Sequence, residues 1–140
     1  ASDLNKFLNN RLYSALPDPI KLLVKQVSVK SSIGDKSLET MTSECYINIP
    51  SLLDVDISYK DTSPYNEEVN SKTVISYIID KEVRKRAFDN GEAYSYWLRS
   101  PNATNNTNTS YYVWYVKADG TTNGLGTPTT ENGVVIEMSF

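Results

Sequence analysis

Apolar positions change period along this chain, from helical spacing at its start to strand spacing towards its end. In "SDLNKFLNNRLYSAL", Leu4, Phe7, Leu8, Leu12 and Leu16 recur three and four residues apart, which predicts an amphipathic helix with one stripe against a core. Ser2 is its expected N-cap, and Asp3 lies where the helix dipole favours an anion. Pro17 and Pro19 stop this helix. Asp18 before Pro19 predicts an N-cap with proline at the first helical position, so "PIKLLVKQ" starts a second, short helix. "VKQVSVKSS" alternates apolar and polar residues as a half-buried or edge strand does, ending at Gly34, and "ECYINI" is a second strand closed by Pro50.

From about Asp54 to Ser71 the chain is polar, holds Pro64 and many turn formers, and reads as a long surface excursion. In "KTVISYIIDKEVRKRAFDNG", Val74, Ile75, Ile78, Ile79, Val83 and Phe88 follow helical spacing, with Asn90-Gly91 as the C-terminal stop. Its basic cluster Lys81, Arg84, Lys85 and Arg86 falls near that helix end, where the dipole favours cations. The last third is strand-like: "YSYWLR" and "YYVWYVKADG" are strands, Asp119-Gly120 is a hairpin turn, and "GVVIEMSF" is a continuous apolar run suited to a central strand. Alternation from Trp114 places Val116 inward with Trp97, and Tyr115 and Lys117 on the opposite face. Helices first and strands last predict one α+β domain over residues 1–140, with N-terminal helices on a small, mostly antiparallel sheet and long surface loops.

Composition removes several chemistries. With no histidine and one cysteine, Cys45, the chain lacks Ser-His-Asp and Cys-His nucleophile systems and Cys- or His-based metal sites. The acids Asp54, Asp56, Asp61, Glu67 and Glu68 show no EF-hand spacing and read as a solvated loop, so no metal and no cofactor is expected. Nothing in the spacing of Glu44, Glu131 and Glu137 marks a catalytic pair, and the chain is read as a non-enzyme without catalytic residues. A net charge of −3 argues against nucleic acid, and no stretch is long and apolar enough for membrane insertion. The absence of an initiator Met fits a processed product or a segment of a longer protein.

Ten tyrosines and two tryptophans against three phenylalanines give most of the aromatic area a polar tip, which suits binding faces. Between the last strands runs "NATNNTNTS", residues 102–110. Tyrosine beside asparagine and serine is the composition of adaptable recognition loops. The sequons at Asn102, Asn105 and Asn108 are chance matches in such a run. Candidate ligand-binding residues are Asn102, Asn105, Asn106, Asn108, Tyr111, Tyr112, Tyr115, Lys117, Thr121 and Asn123, in the 102–112 and 121–132 loops and on the strand between them. Trp97, Arg99 and Trp114 are read as structural, Arg99 because a partly buried guanidinium needs carbonyls or carboxylates on its fork.

The motifs Trp97-Leu98-Arg99-Ser100-Pro101, Tyr111 to Val116, Asp119-Gly120 and Gly133-Val134, with the opening "SDLNKFLNN", carry a resemblance over nearly the whole chain. It resembles an uncharacterised bacterial and phage domain family whose hallmark is W-L-R-S-P. The ending departs from the family's usual G-V-R-P-A. Such domains are similar to the C-type-lectin-like fold, including variable receptor-binding proteins of phages with diversity-generating retroelements. The resemblance implies a receptor-binding or adhesion domain of a phage tail or bacterial surface protein, located on a virion or cell surface. Its partners would be a host-surface glycan or protein, other virion or tail proteins, and a second copy if the domain is a homo-oligomer. The competing reading is a structural decoration or oligomerisation module without a ligand.

Overall fold

A computed structural model describes residues 2–34, 37–68, 80–103 and 112–140. The chain opens with α1 (Asp3–Lys6), a π-helical turn (Phe7–Leu12) and α2 (Tyr13–Ala15). Ser2 caps α1 as expected, its side chain accepting from the Asn5 N–H at 3.2 Å. Leu8 is buried against Ile47 and Ile49, with Leu4, Leu12 and Leu16 half-buried around it. Phe7, expected on the same stripe, is 50% exposed. The π-turn holds more than 3.6 residues per turn, so positions four apart stay in file and Phe7 rotates out.

The neighbouring file is polar and docks the helix. Asn9 donates to the Ile47 carbonyl at 2.8 Å and accepts from the Tyr46 and Ile47 N–H groups at 2.7 and 3.0 Å. Those backbone groups lie where the expected "ECYINI" strand breaks at Tyr46 into β2 (Thr40–Cys45) and β3 (Ile47–Asn48), so Asn9 pairs what the break would otherwise leave unpaired. The second helix, α3 (Asp18–Leu23), starts one residue earlier than expected, with Pro17 at the cap position and Asp18 in the first turn. β1 (Val27–Ser32) pairs antiparallel with β2, Val27 opposite Cys45, and its alternation buries Val27 and Val29.

Three expectations in the middle and end of the chain are corrected. The stretch from Asp54, described as far as Glu68, is a surface excursion only in part: α4 (Leu52–Val55) buries Leu52, Leu53 and Val55, and beyond it an arm of two 3₁₀ turns exposes Lys60, Asp61, Thr62, Ser63, Asn66 and Glu67 but buries Pro64, Tyr65 and Glu68. Its acids Asp54 and Asp56 are polar because they pair with Arg99 and Arg84, not because they face water. The helix expected through Gly91 stops at Arg84 in α5 (Lys81–Arg84), its earlier part 72–79 lying outside the described residues. Arg84 does not complement a dipole; it turns inward to Asp56 at 2.7 Å. The chain then forms a hairpin, β4 (Arg86–Ala87) with β5 (Ala93–Tyr94), Phe88 stacking on Tyr94 at 4.7 Å and Gly91 turning with φ +86°. Finally, "GVVIEMSF" is not a central strand. It contributes a parallel bridge from Gly133 to Tyr96, a short β9 (Glu137–Met138) paired with β3, and an antiparallel bridge from Ser139 to Lys25, with Val134 and Ile136 exposed.

The larger sheet is antiparallel in the order β6 (Tyr96–Pro101), β7 (Val113–Val116), β8 (Thr122–Gly126). Asp119-Gly120 turns the β7–β8 hairpin as expected, with Gly120 at φ +86°. Tyr96, Leu98 and Val116 face Leu52, Val55 and Tyr65 in one core, with Trp114 at its edge. Trp97, expected on that face, is on the other: Tyr96 pairs with Val116 and Trp97 with Tyr115, so strand alternation carries Trp97 to the Leu8–Ile47–Ile49 core.

The two positive-φ glycines of these turns give a paired test. A Cβ at Gly91 meets nothing within 4 Å, whereas one at Gly120 would lie 2.0 Å from the Lys81 carbonyl oxygen. Gly91→Ala should therefore cost about 1 kcal/mol of left-handed strain, and Gly120→Ala at least about twice that, by urea unfolding. Equal losses would contradict the close approach of the β7–β8 turn to α5.

Candidate functional site

Burial of one arginine organises the centre of the molecule. Arg99 donates through Nη1 to Asp54 Oδ2 and the Ile49 carbonyl, both at 2.9 Å, and through Nη2 to the Glu68 carbonyl at 2.8 Å. Asp54 is fixed in turn by the α4 capping box with Ser51. The next residue, Ser100, accepts from the Leu52 N–H at 2.8 Å and hydrogen-bonds Glu68 Oε2. Glu68 Oε1 accepts from the Ser32 N–H and hydroxyl at 2.8 and 2.5 Å. Asn48 holds Glu137 at 2.9 Å, close enough to Asp54 and Arg99 to feel both charges. Burial pushes the Glu68 and Glu137 carboxyls above the usual carboxylate range.

A second lock lies at the base of the Asn/Thr-rich stretch. The Tyr65 hydroxyl accepts from the Ala103 N–H and from Trp114 Nε1, each at 3.0 Å, and its ring meets Tyr59 and Trp114 edge-on. Burial raises the Tyr65 phenol above its ordinary value. Asn102 is buried; its N–H donates to the Tyr112 carbonyl and its Nδ2 to the Gly124 carbonyl, both at 2.8 Å. It therefore holds the loop base and does not offer its amide outward.

Of the other candidate ligand-binding residues, Asn105, Asn106, Asn108 and Tyr111 lie outside the described residues. Tyr112 and Tyr115 are half-buried, Tyr115 edge-on to Trp97 at 5.9 Å with Asn123 as its partner across β8. Lys117 is exposed. Thr121 donates twice to Asp119, holding that exposed carboxyl below its usual range, and Asn123 accepts from the Leu125 N–H. Tyr115, Asn123 and Trp97 thus share one face, while Thr121 and Asn123 also shape their own turns.

On the Trp97 face lies a cavity of about 500 Å³, walled by Leu8, Val29, Cys45, Ile49 and Trp97 with Arg99 and Asn48 at its polar side. No group of three or more Cys, Asp or Glu is placed to hold a metal ion among the described residues, and none of their helices is long and apolar enough to cross a membrane.

A family model matches residues 1–136. The chain belongs to the family described as Domain of unknown function (DUF6273). No curated protein and no solved structure matches it. Sequence reasoning passed over the residues that carry most of the polar architecture of this DUF6273 chain: Asn9, Asp54, Tyr65 and Glu68. Their partners lie 31 to 49 residues away, and local pattern carries no signal for such pairs. A faint one exists for Asp54, since S-x-x-D, here Ser51 to Asp54, has the spacing of a capping box.

Arg99→Ala would strand Asp54 and two buried carbonyls, and a loss of about 3–4 kcal/mol is expected in urea unfolding. Arg99→Lys should recover less than half of it, because an ammonium cannot span the same three acceptors. Near-native stability of either variant would show that the fork is dispensable.

Proposed function

We propose that this chain is a receptor-binding or adhesion domain of a phage tail or bacterial surface protein, with a C-type-lectin-like frame. It recognises a host-surface glycan or protein through the 102–112 stretch, the adjoining Tyr115 face with Lys117, and residues 121–132, which the sequence led us to expect as a loop but whose first half is the strand β8. The observation that supports this reading most is the lock beneath the stretch. Asn102, Ala103 and Trp114 are tied to Gly124 and Tyr65 by hydrogen bonds, and the Asn102 N–H to the Tyr112 carbonyl, so the frame is fixed up to Ala103 on one side and from Tyr112 on the other. Asparagine and threonine amides and hydroxyls beside tyrosine rings suit hydrogen bonding and stacking to sugars or peptide. The W-L-R-S-P motif has a place in this reading as frame: Leu98 and Ser100 face inward and Arg99 enters the polar centre.

One observation favours the structural module instead. Leu22 and Leu23 of α3 are 87% and 61% exposed, beside the partly exposed Ile20, and such residues suit packing against another copy or another virion component.

The test replaces residues 104–110 with a Gly/Ser linker of equal length. Asn102 and Ala103 are kept because they belong to the lock. Stability should stay within about 0.5 kcal/mol of wild type, and binding of the purified domain to intact host cells should be lost. Equal binding by two folded proteins would end the recognition reading. A change of oligomeric state in Leu22→Ser/Leu23→Ser, read by sedimentation, would then support the structural one.

A further inference from the structure

Among the described residues, Glu68 is a fully buried carboxyl with no cation hydrogen-bonded to its oxygens. The groups facing it, among the described residues, come from β1, the cap of α4, the arm, β6 and β9. β1 gives the Ser32 N–H and hydroxyl, while the Lys30 ammonium turns away to Glu67 at 3.1 Å. The cap of α4 gives the Ser51 hydroxyl, on the Glu68 carbonyl, and Asp54; the arm itself adds Tyr65 and Glu67. β6 gives Ser100 and Arg99, and Glu137 of β9 lies near Asp54 and Arg99. Arg99 is the guanidinium in this set, and its Nη groups are directed to Asp54 and to backbone carbonyls. Ionising Asp54, Glu68 and Glu137 together would leave two negative charges in excess in a largely buried site.

The side chains that touch the Glu68 carboxyl are hydroxyls, which accept as readily as they donate. A protonated Oε2 can therefore donate a hydrogen bond to Ser100 Oγ with the Ser32 bonds unchanged. We propose that Glu68 is a proton-operated latch. Protonated, it seats the arm 57–68 against β1 and β6; losing the proton loosens the arm and, through Tyr65, the base of the 103–112 stretch. The upward push of burial on this carboxyl acts in the same sense. The consequence for binding rests on the recognition reading above, but the proton linkage does not, and the measurements below involve no ligand.

The sign follows from linkage. A carboxyl whose folded pKa exceeds its unfolded value makes the folded state bind more protons between the two, so stability falls as pH rises through that window. Urea unfolding of the whole chain from pH 5 to 8.5 should show the folding constant falling, by up to about tenfold per pH unit for one proton. Glu68→Gln keeps an acceptor for Ser32 and a donor for Ser100, and should remove most of that slope. Glu137→Gln, whose carboxyl burial also raises, should leave the part of the slope that Glu68→Gln removes. A flat or rising wild-type profile, a slope unchanged in Glu68→Gln, or a slope removed by Glu137→Gln alone would each overturn the latch.

Should Glu68→Gln fail to fold, carboxyl ¹³C NMR of the wild type decides. Glu68 should titrate above the ordinary glutamate midpoint of about 4.3, and a midpoint at or below that value rejects the proposal. The link to the loop base is read by hydrogen exchange of the Ala103 amide at pH 8. Slower exchange in Glu68→Gln than in wild type supports it, and equal exchange removes it.

Discussion

The guanidinium of Arg99 is the constraint around which the other parts are arranged. A charge this deeply buried persists only where its fork meets acceptors held in place beforehand. Here those acceptors come from three separate stretches: the end of β3 at Ile49, the capping box of α4 at Asp54, and the end of the arm at Glu68. The Arg99 N–H donates to the Pro50 carbonyl at 2.9 Å, so main chain and side chain of one residue fasten the same crossing. Ser100 extends the junction to Leu52 and to Glu68, and Glu68 carries it to β1. Short sheets of two and three strands are marginal alone; this junction joins them.

From that junction the two faces of the larger sheet acquire different tasks. One packs Tyr96, Leu98 and Val116 under α4 and the arm, and ends in the Tyr65 lock at the base of the Asn/Thr-rich stretch. The other turns Trp97 toward Leu8, Ile47 and Ile49 and leaves the cavity open beside Arg99. The indoles reach across to β8, where glycines make room: a Cβ on Gly124 would lie 2.9 Å from Trp114, and one on Gly126 2.4 Å from Trp97.

What was legible in the sequence is what local physics decides. The Ser2 cap, the alternation of β1, the Asp119-Gly120 hairpin and the mixed helix and strand content follow from neighbours a few residues apart. What was missed depends on distant partners. The π-turn shifts the helix phase to suit the broken strand at Tyr46, and nothing in "FLNNRL" announces it. β8 is glycine-rich because two indoles cover it, so strand propensity argues against it. Glu68 and Asp54 read as solvent-facing because an acidic, proline-containing stretch resembles a loop until its arginine and serine partners are known. At the candidate site the same division holds: alternation within β7 separated Tyr115 from Val116, but the register across to β6 that brings Trp97 beside Tyr115, and the inward role of Asn102 on the Gly124 carbonyl, depend on partners across the sheet.

The most direct test of the central claim is native-state hydrogen exchange at mildly acidic pH. The amides of Ser32, Leu52 and Arg99 belong to three elements and donate to Glu68, Ser100 and the Pro50 carbonyl, all within the Arg99 junction. If the junction unites the fold, they exchange with one common opening free energy equal to that of global unfolding and to that of the β6–β7 ladder. Opening of Ser32 and Leu52 at a much lower free energy than the ladder, with the sheet still protected, would contradict it.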